Sequence, residues 1–144
     1  MTTKTGLPTI TLARQPEFQF DKRQDGWKLL WDPKPQGDSS QLTLEFLEFV
    51  SGEAFVNGEK MLKRARKLGH QASQHDAELM LANQEKIPAE LRPYTLVFTG
   101  TGWQVSSGNR GVAVLRFIGG QWRLLFGWLG DGFGADDRLV RLRA

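Results

Sequence analysis

The chain has 144 residues, 40% of them hydrophobic, with nineteen Lys or Arg against sixteen Asp or Glu for a formal net charge of +3. That is the size of one ordinary domain, long enough to bury a sizeable core, and the composition excludes wholesale disorder. Cysteine is absent, which removes disulfides, thiolate nucleophiles and cysteine-based zinc sites together.

No apolar run reaches the roughly 18 residues of a membrane helix. The opening MTTKTGLPTITLARQ carries no signal-like apolar block, so the expected location is the cytoplasm. Residues 1–16 are polar, with Pro8 and Pro16, and read as an arm or loose first strand. Residues 17–144 read as one domain. EFQF (17–20) and WKLLW (27–31) flank DKRQDG, whose Asp25-Gly26 is a turn signal, so a hairpin is expected. Trp27, Leu29 and Trp31 then share a face. DPKPQGDSS (32–40) is a loop. LTLEFLEF (42–49) alternates through Leu42, Leu44 and Phe46 and then changes parity, which predicts a strand ending or bulging near Phe46; a helix is the alternative there.

Two helices follow. Residues 53–68 place Met61, Leu62, Ala65 and Leu68 on one stripe, with Gly69 as the stop. Ser73 and Asp76 form a capping-box pattern opening a second helix over 74–86, ended by Ile87-Pro88. From Tyr94 the pattern is strand: 95–98, 103–105, 111–118, 121–129 and 138–142. GTGW (100–103) reads as a hairpin turn, and so does Gly119-Gly120. Strands 111–118 and 121–129 are apolar on both faces, the mark of a sheet's covered middle. The fold class is α+β: an antiparallel sheet of five to seven strands, two consecutive helices on one face, and a C-terminal β-meander.

GWLGDGFGADDRLVRLRA (127–144) is rich in glycine and aspartate. Counted from Asp131 as a calcium loop, the third position is Phe133, the fifth Ala135, the sixth Asp136 and the twelfth Leu142, so the ligand pattern fails. No helix follows to hold a phosphate. The stretch reads as a metal-free turn over 130–137 before an edge strand, with Leu139 and Arg141 on one face and Val140 and Leu142 on the other. The arginines suit an exposed edge.

Only two histidines exist, His70 and His75, and no zinc or nucleophile-elbow motif accompanies them. His75 and Asp76 are adjacent on a helix and point apart. Lys60, Lys63, Arg64 and Lys67 fall at i, i+3, i+4 and i+7, a cationic row suited to phosphates. A helix-turn-helix is rejected, because Arg64, His70, His75 and Glu78 occupy positions that motif would bury. Trp122 and Trp128 read as core. Trp27, Trp31 and Trp103, nearer turns, are candidates for stacking on a ligand or partner.

The leading functional expectation is a small non-catalytic binding or accessory protein of unknown ligand, without cofactor or metal. The second is a nucleic-acid-associated protein using Lys60, Lys63, Arg64 and Lys67. The third is a hydrolase-like enzyme gathering His75, Asp131, Asp136 and Asp137 in a sheet-lined pocket. The expected partner is a protein or a nucleic acid, and no membrane.

Overall fold

The computed structural model describes residues 10–13, 18–33 and 41–143. Most of the arm at 1–16 and of the loop at 32–40 therefore lies outside the described residues. The organising element is the hairpin that the two glycines announce. Gly119 and Gly120 both have positive φ, +62° and +84°. That is the primed turn, whose twist suits a two-residue hairpin. It joins β6 (Arg110–Ile118) to β7 (Gln121–Trp128), in register from Ile118↔Gln121 to Gly111↔Trp128. β5 (Thr95–Gln104) runs antiparallel on the other side of β6, which completes the C-terminal meander.

β1 (Ile10–Ala13) and β3 (Gln41–Leu47) form the opposite end of the sheet. β3 ends at Leu47, one residue beyond the change of parity. The two halves are joined by the last strand, β9 (Asp137–Leu142), which is antiparallel to β3 and parallel to β5. The order is β1-β3-β9-β5-β6-β7, with β2 (Lys28–Trp31) added to β5. The sheet is therefore mixed, not antiparallel throughout. β9 is internal where an edge strand was expected, and β7 ends the order where a central strand was expected.

The arginines misled because they are used inward. Arg141 pairs with Glu45, its register partner on β3, at 3.0 Å and donates to the carbonyl of Leu68. Arg138 is only 6% exposed, lies 4.1 Å from the Tyr94 ring centre and donates to the carbonyls of Ala135 and Asp137. Two carbonyls and the Tyr94 ring face offset the burial of the Arg138 guanidinium, although its buried Nε has no hydrogen-bond partner among the described residues.

The first helix, α1, spans Gly58–Leu68 and not 53–68. Residues 55–57 are instead β4 (Phe55–Asn57), paired with β8 (Gly132–Gly134) in a two-stranded ribbon. That ribbon also places a short strand inside the turn expected over 130–137. Asn57 caps α1 by accepting from Lys60 N at 2.8 Å. The second helix, α2, spans Gln74–Ala82, and 84–86 form a separate 3-10 turn. Asp76 accepts from Ser73 N at 2.8 Å, as the capping pattern predicts.

The helices cover opposite faces of the sheet, not one. Neighbouring strand residues point to opposite sides. Leu96, Ala113 and Val140 pack with Ala77 and Met80 of α2, whereas Val97, Val112 and Leu139 pack with Met61, Leu62 and Ala65 of α1. A sheet apolar on both sides needs two covers. The chain crosses between them through a gap beyond the paired part of β9 and β5. There Ala72 donates to Val140 O and accepts from Gly100 N.

Two turn assignments also change. The expected hairpin at 17–31 does not form. Residues 19–20 are a bend, Lys22–Asp25 a 3-10 turn, and only Lys28–Trp31 a strand, paired with β5. The GTGW stretch is not a turn but part of β5, where the Trp31 ring lies against Gly102. The real reversal follows at 105–109, closed by Val105 N to Asn109 O at 2.9 Å.

Candidate functional site

Where β5 runs out past α2, its side chains meet the segment 18–33. Trp103 is 0% exposed, and its indole N–H donates to Gln74 Oε1 at 2.6 Å. Gln74 N donates to Thr101 Oγ1 at 3.0 Å, and Thr101 donates onward to Asp32 Oδ1 at 2.6 Å. The second oxygen of Asp32 lies 3.0 Å from His75 Nε2. Glu78, one helical turn beyond Gln74, accepts from Gln74 Nε2 at 3.0 Å. The result is a connected polar cluster set on an indole floor.

The His75–Asp32 pair carries the chemistry nearest to catalysis. A carboxylate only accepts, so Nε2 holds the proton. In the neutral ring the lone pair then sits on Nδ1, which is buried and has no hydrogen-bond partner. The ring of Phe18 covers the imidazole at 4.0 Å and 9° from parallel. A general base must reach the proton it takes at about 3 Å, and Nδ1 is shut off from such a group.

The three aspartates of the tail are not brought to this histidine. Asp137 is paired with Thr95 at the start of β5, six residues from Thr101, or about 20 Å along a strand. It accepts from Gly134 N at 2.7 Å, and burial pushes its carboxyl above the ordinary range. Asp131 and Asp136 are exposed. Among the described residues no group of three or more His, Cys, Asp or Glu side chains is placed to hold a metal ion.

The three candidate tryptophans part company. Trp103 is interior. Trp31 lies on the α1 side, donates to Thr99 O at 3.0 Å and has the Arg66 guanidinium 5.8 Å from its ring. Trp27 sits among Phe126 at 5.0 Å, Trp128 at 5.5 Å and Trp103 at 6.5 Å. Trp27, Phe126 and Trp128 are each half-buried. Lys22 Nζ stands 4.6 Å from the Trp27 ring and 5.8 Å from that of Phe126. These rings form an aromatic patch against the edge strand.

The cationic row of α1 is thinner than the sequence suggests. Lys60, Lys63 and Lys67 are exposed. Arg64 turns aside to Glu53 at 2.5 Å and to Phe49 O at 2.6 Å. Its guanidinium, helped by the Ser51 N–H, holds the Glu53 carboxyl down at about 2.

Asp32, Thr101, Gln74, Glu78 and Phe18 were missed in the sequence. Asp32 opens a proline-bearing loop, and Thr101 lies between glycines. Only Gln74 and Glu78 left a trace, as polar residues four apart on one helix face. No protein-family model, curated protein or solved structure matches the chain. Among the described residues no helix is long and apolar enough to cross a membrane.

Proposed function

We propose that this chain is a non-catalytic binding protein of the cytoplasm whose contact surface is the patch of Trp27, Phe126 and Trp128 beside Lys22. One observation carries the reading. Trp27 meets both Phe126 and Trp128, and all three rings stay only half-buried, while Trp103 of the same cluster is fully buried. Rings with one buried and one open side are the residues that dominate protein contact surfaces. The cysteine-free composition supports the reducing compartment. The test is affinity capture from the source cell extract with the parent and with Phe126→Ser, whose folding is checked by its melting curve. A species retained by the parent and lost with the folded variant supports the patch; identical retention removes it.

A second reading rests on Lys60, Lys63 and Lys67, which remain exposed along one side of α1. It makes the chain a nucleic-acid-associated protein. Reversing the charge of Lys63 and Lys67 together is then expected to lower the slope of log affinity against log salt, by about one for each phosphate that a lysine no longer neutralises. An unchanged slope removes this face.

A further inference from the structure

The segment 18–33 crosses the start of α2, yet none of its residues is buried. What it covers is buried and polar: Gln74, Glu78 and Thr101. Glu78 is the informative group. Its residue is 5% exposed, and no ion pair to a cation accompanies it among the described residues. Its oxygens accept from Gln19 N at 2.7 Å, Phe20 N at 2.8 Å and Gln74 Nε2 at 3.0 Å. Gln74 Nε2 also donates to Phe20 O at 2.7 Å. One carboxylate and one amide thus satisfy three main-chain groups of two consecutive residues.

These hydrogen bonds read backbone rather than side chain, and Gln19 and Phe20 themselves are exposed. Side-chain recognition falls on Phe18, stacked on His75 and 5.6 Å from Trp103. Gln74 is fixed from behind by Trp103 and Thr101, and His75 is held by Asp32, twelve or more residues further along the chain than 18–20. A buried carboxylate without a cation must find N–H donors. Here the donors come from residues 18–20, none of which is buried. Rigid polar groups below and a main chain plus one ring above are the parts of a peptide receptor and its ligand.

We propose that the N-terminal end of α2 is a peptide-binding site, filled in this structure by the chain's own residues 18–20. It accepts from a partner protein a segment of the form aromatic–X–X, whose two X residues offer free backbone N–H groups. The internal segment acts as a competitor, so a partner binds only in proportion to the fraction of chains in which it is displaced. The hydrogen bonds of this site and its stack on Phe18 involve none of Trp27, Phe126 and Trp128, which meet it only where Trp27 packs on Trp103.

The probe is the labelled, N-acetylated peptide Phe-Gln-Phe-Asp-Lys-Arg, titrated into the full chain and into Gln19→Pro, which cannot give Glu78 its first N–H. The expected result is binding about tenfold or more tighter to Gln19→Pro than to the parent. Adding Glu78→Gln to that variant is expected to weaken it again by about tenfold. Absence of saturable binding to folded Gln19→Pro at millimolar peptide overturns the proposal. So does a concentration-dependent dimer of the parent with no affinity for the peptide, which points to exchange between two copies instead. Should Gln19→Pro fail to fold, amide exchange in the parent decides. The Gln19 and Phe20 amides must exchange faster with excess peptide, and unchanged rates overturn the proposal.

Discussion

His75 and Asp32 are 43 residues apart in sequence and meet at 3.0 Å, with side chains only 10% and 20% exposed. The pairing ties the segment after β2 to the first turn of α2, and Thr101 braces the same carboxylate. Hydrogen bonds to a charged group in such a setting contribute about 1.5–3 kcal/mol. Asp32→Ala is therefore expected to lower stability by about that much. In a double-mutant cycle with His75→Ala the two losses should not add, because both remove one interaction. Urea unfolding of the four proteins gives the coupling, and a coupling of zero contradicts the pairing.

The turn between β6 and β7 places positive φ at two successive residues. A β-branched side chain resists that region strongly. Gly120→Val should cost about 1–3 kcal/mol, although nothing lies within 4 Å of the Cβ it would gain. The denaturation midpoint measures the loss. A neutral result means that the turn has another geometry.

Trp122 is 3% exposed and meets Phe117 edge-on at 5.6 Å. Trp122→Ala is expected to cost about 3–5 kcal/mol. Phe126, on the same side of β7 but half-buried, gives up less core packing on truncation. Its alanine variant should melt above that of Trp122, and the reverse order would contradict the placement of the two rings.

Two carboxylates predict opposite pH responses. Glu53 is held at about 2 in the folded chain against an ordinary 4.5. Its contribution is therefore present above about 4.5 and is lost as pH falls toward 2. Glu53→Gln should flatten the acid limb of the melting temperature. Burial raises the Asp137 carboxyl above its ordinary 3.8, so the folded chain keeps that proton to higher pH than the unfolded one. Stability then falls as pH rises through the interval above 3.8. Asp137→Asn, which still offers Gly134 an acceptor, should be more stable than the parent at neutral pH and not in strong acid. Melting curves from pH 2 to 7 separate the two effects.

Local signals were legible in the sequence and long-range ones were not. Ser73 with Asp76, Gly119-Gly120 and the stripe of Met61, Leu62 and Ala65 each act within a few residues, and each appears where the pattern put it. Strand order depends on partners dozens of residues away. Arg138 and Arg141 look like guards of an edge until Tyr94 and Glu45 are seen beside them. Gly100 and Gly102 look like a turn until Ala72 and Trp31 are found pressed against them inside a strand. The α2 cluster stayed hidden for the same reason. Asp32, Gln74 and Thr101 converge from three separate elements, and no spacing announces that.

Residues 137–142 leave the ribosome after every other strand of the sheet, yet they stand between β3 and β5. Until they emerge, β1 with β3 and β5 with its neighbours are separate ribbons. Each then offers an unpaired rim to any other nascent chain. Folding from the N-terminal end during synthesis cannot finish this domain. A translation product stalled before residue 137 is an open sheet in two pieces, a substrate for chaperones and proteases however much of its length has been made.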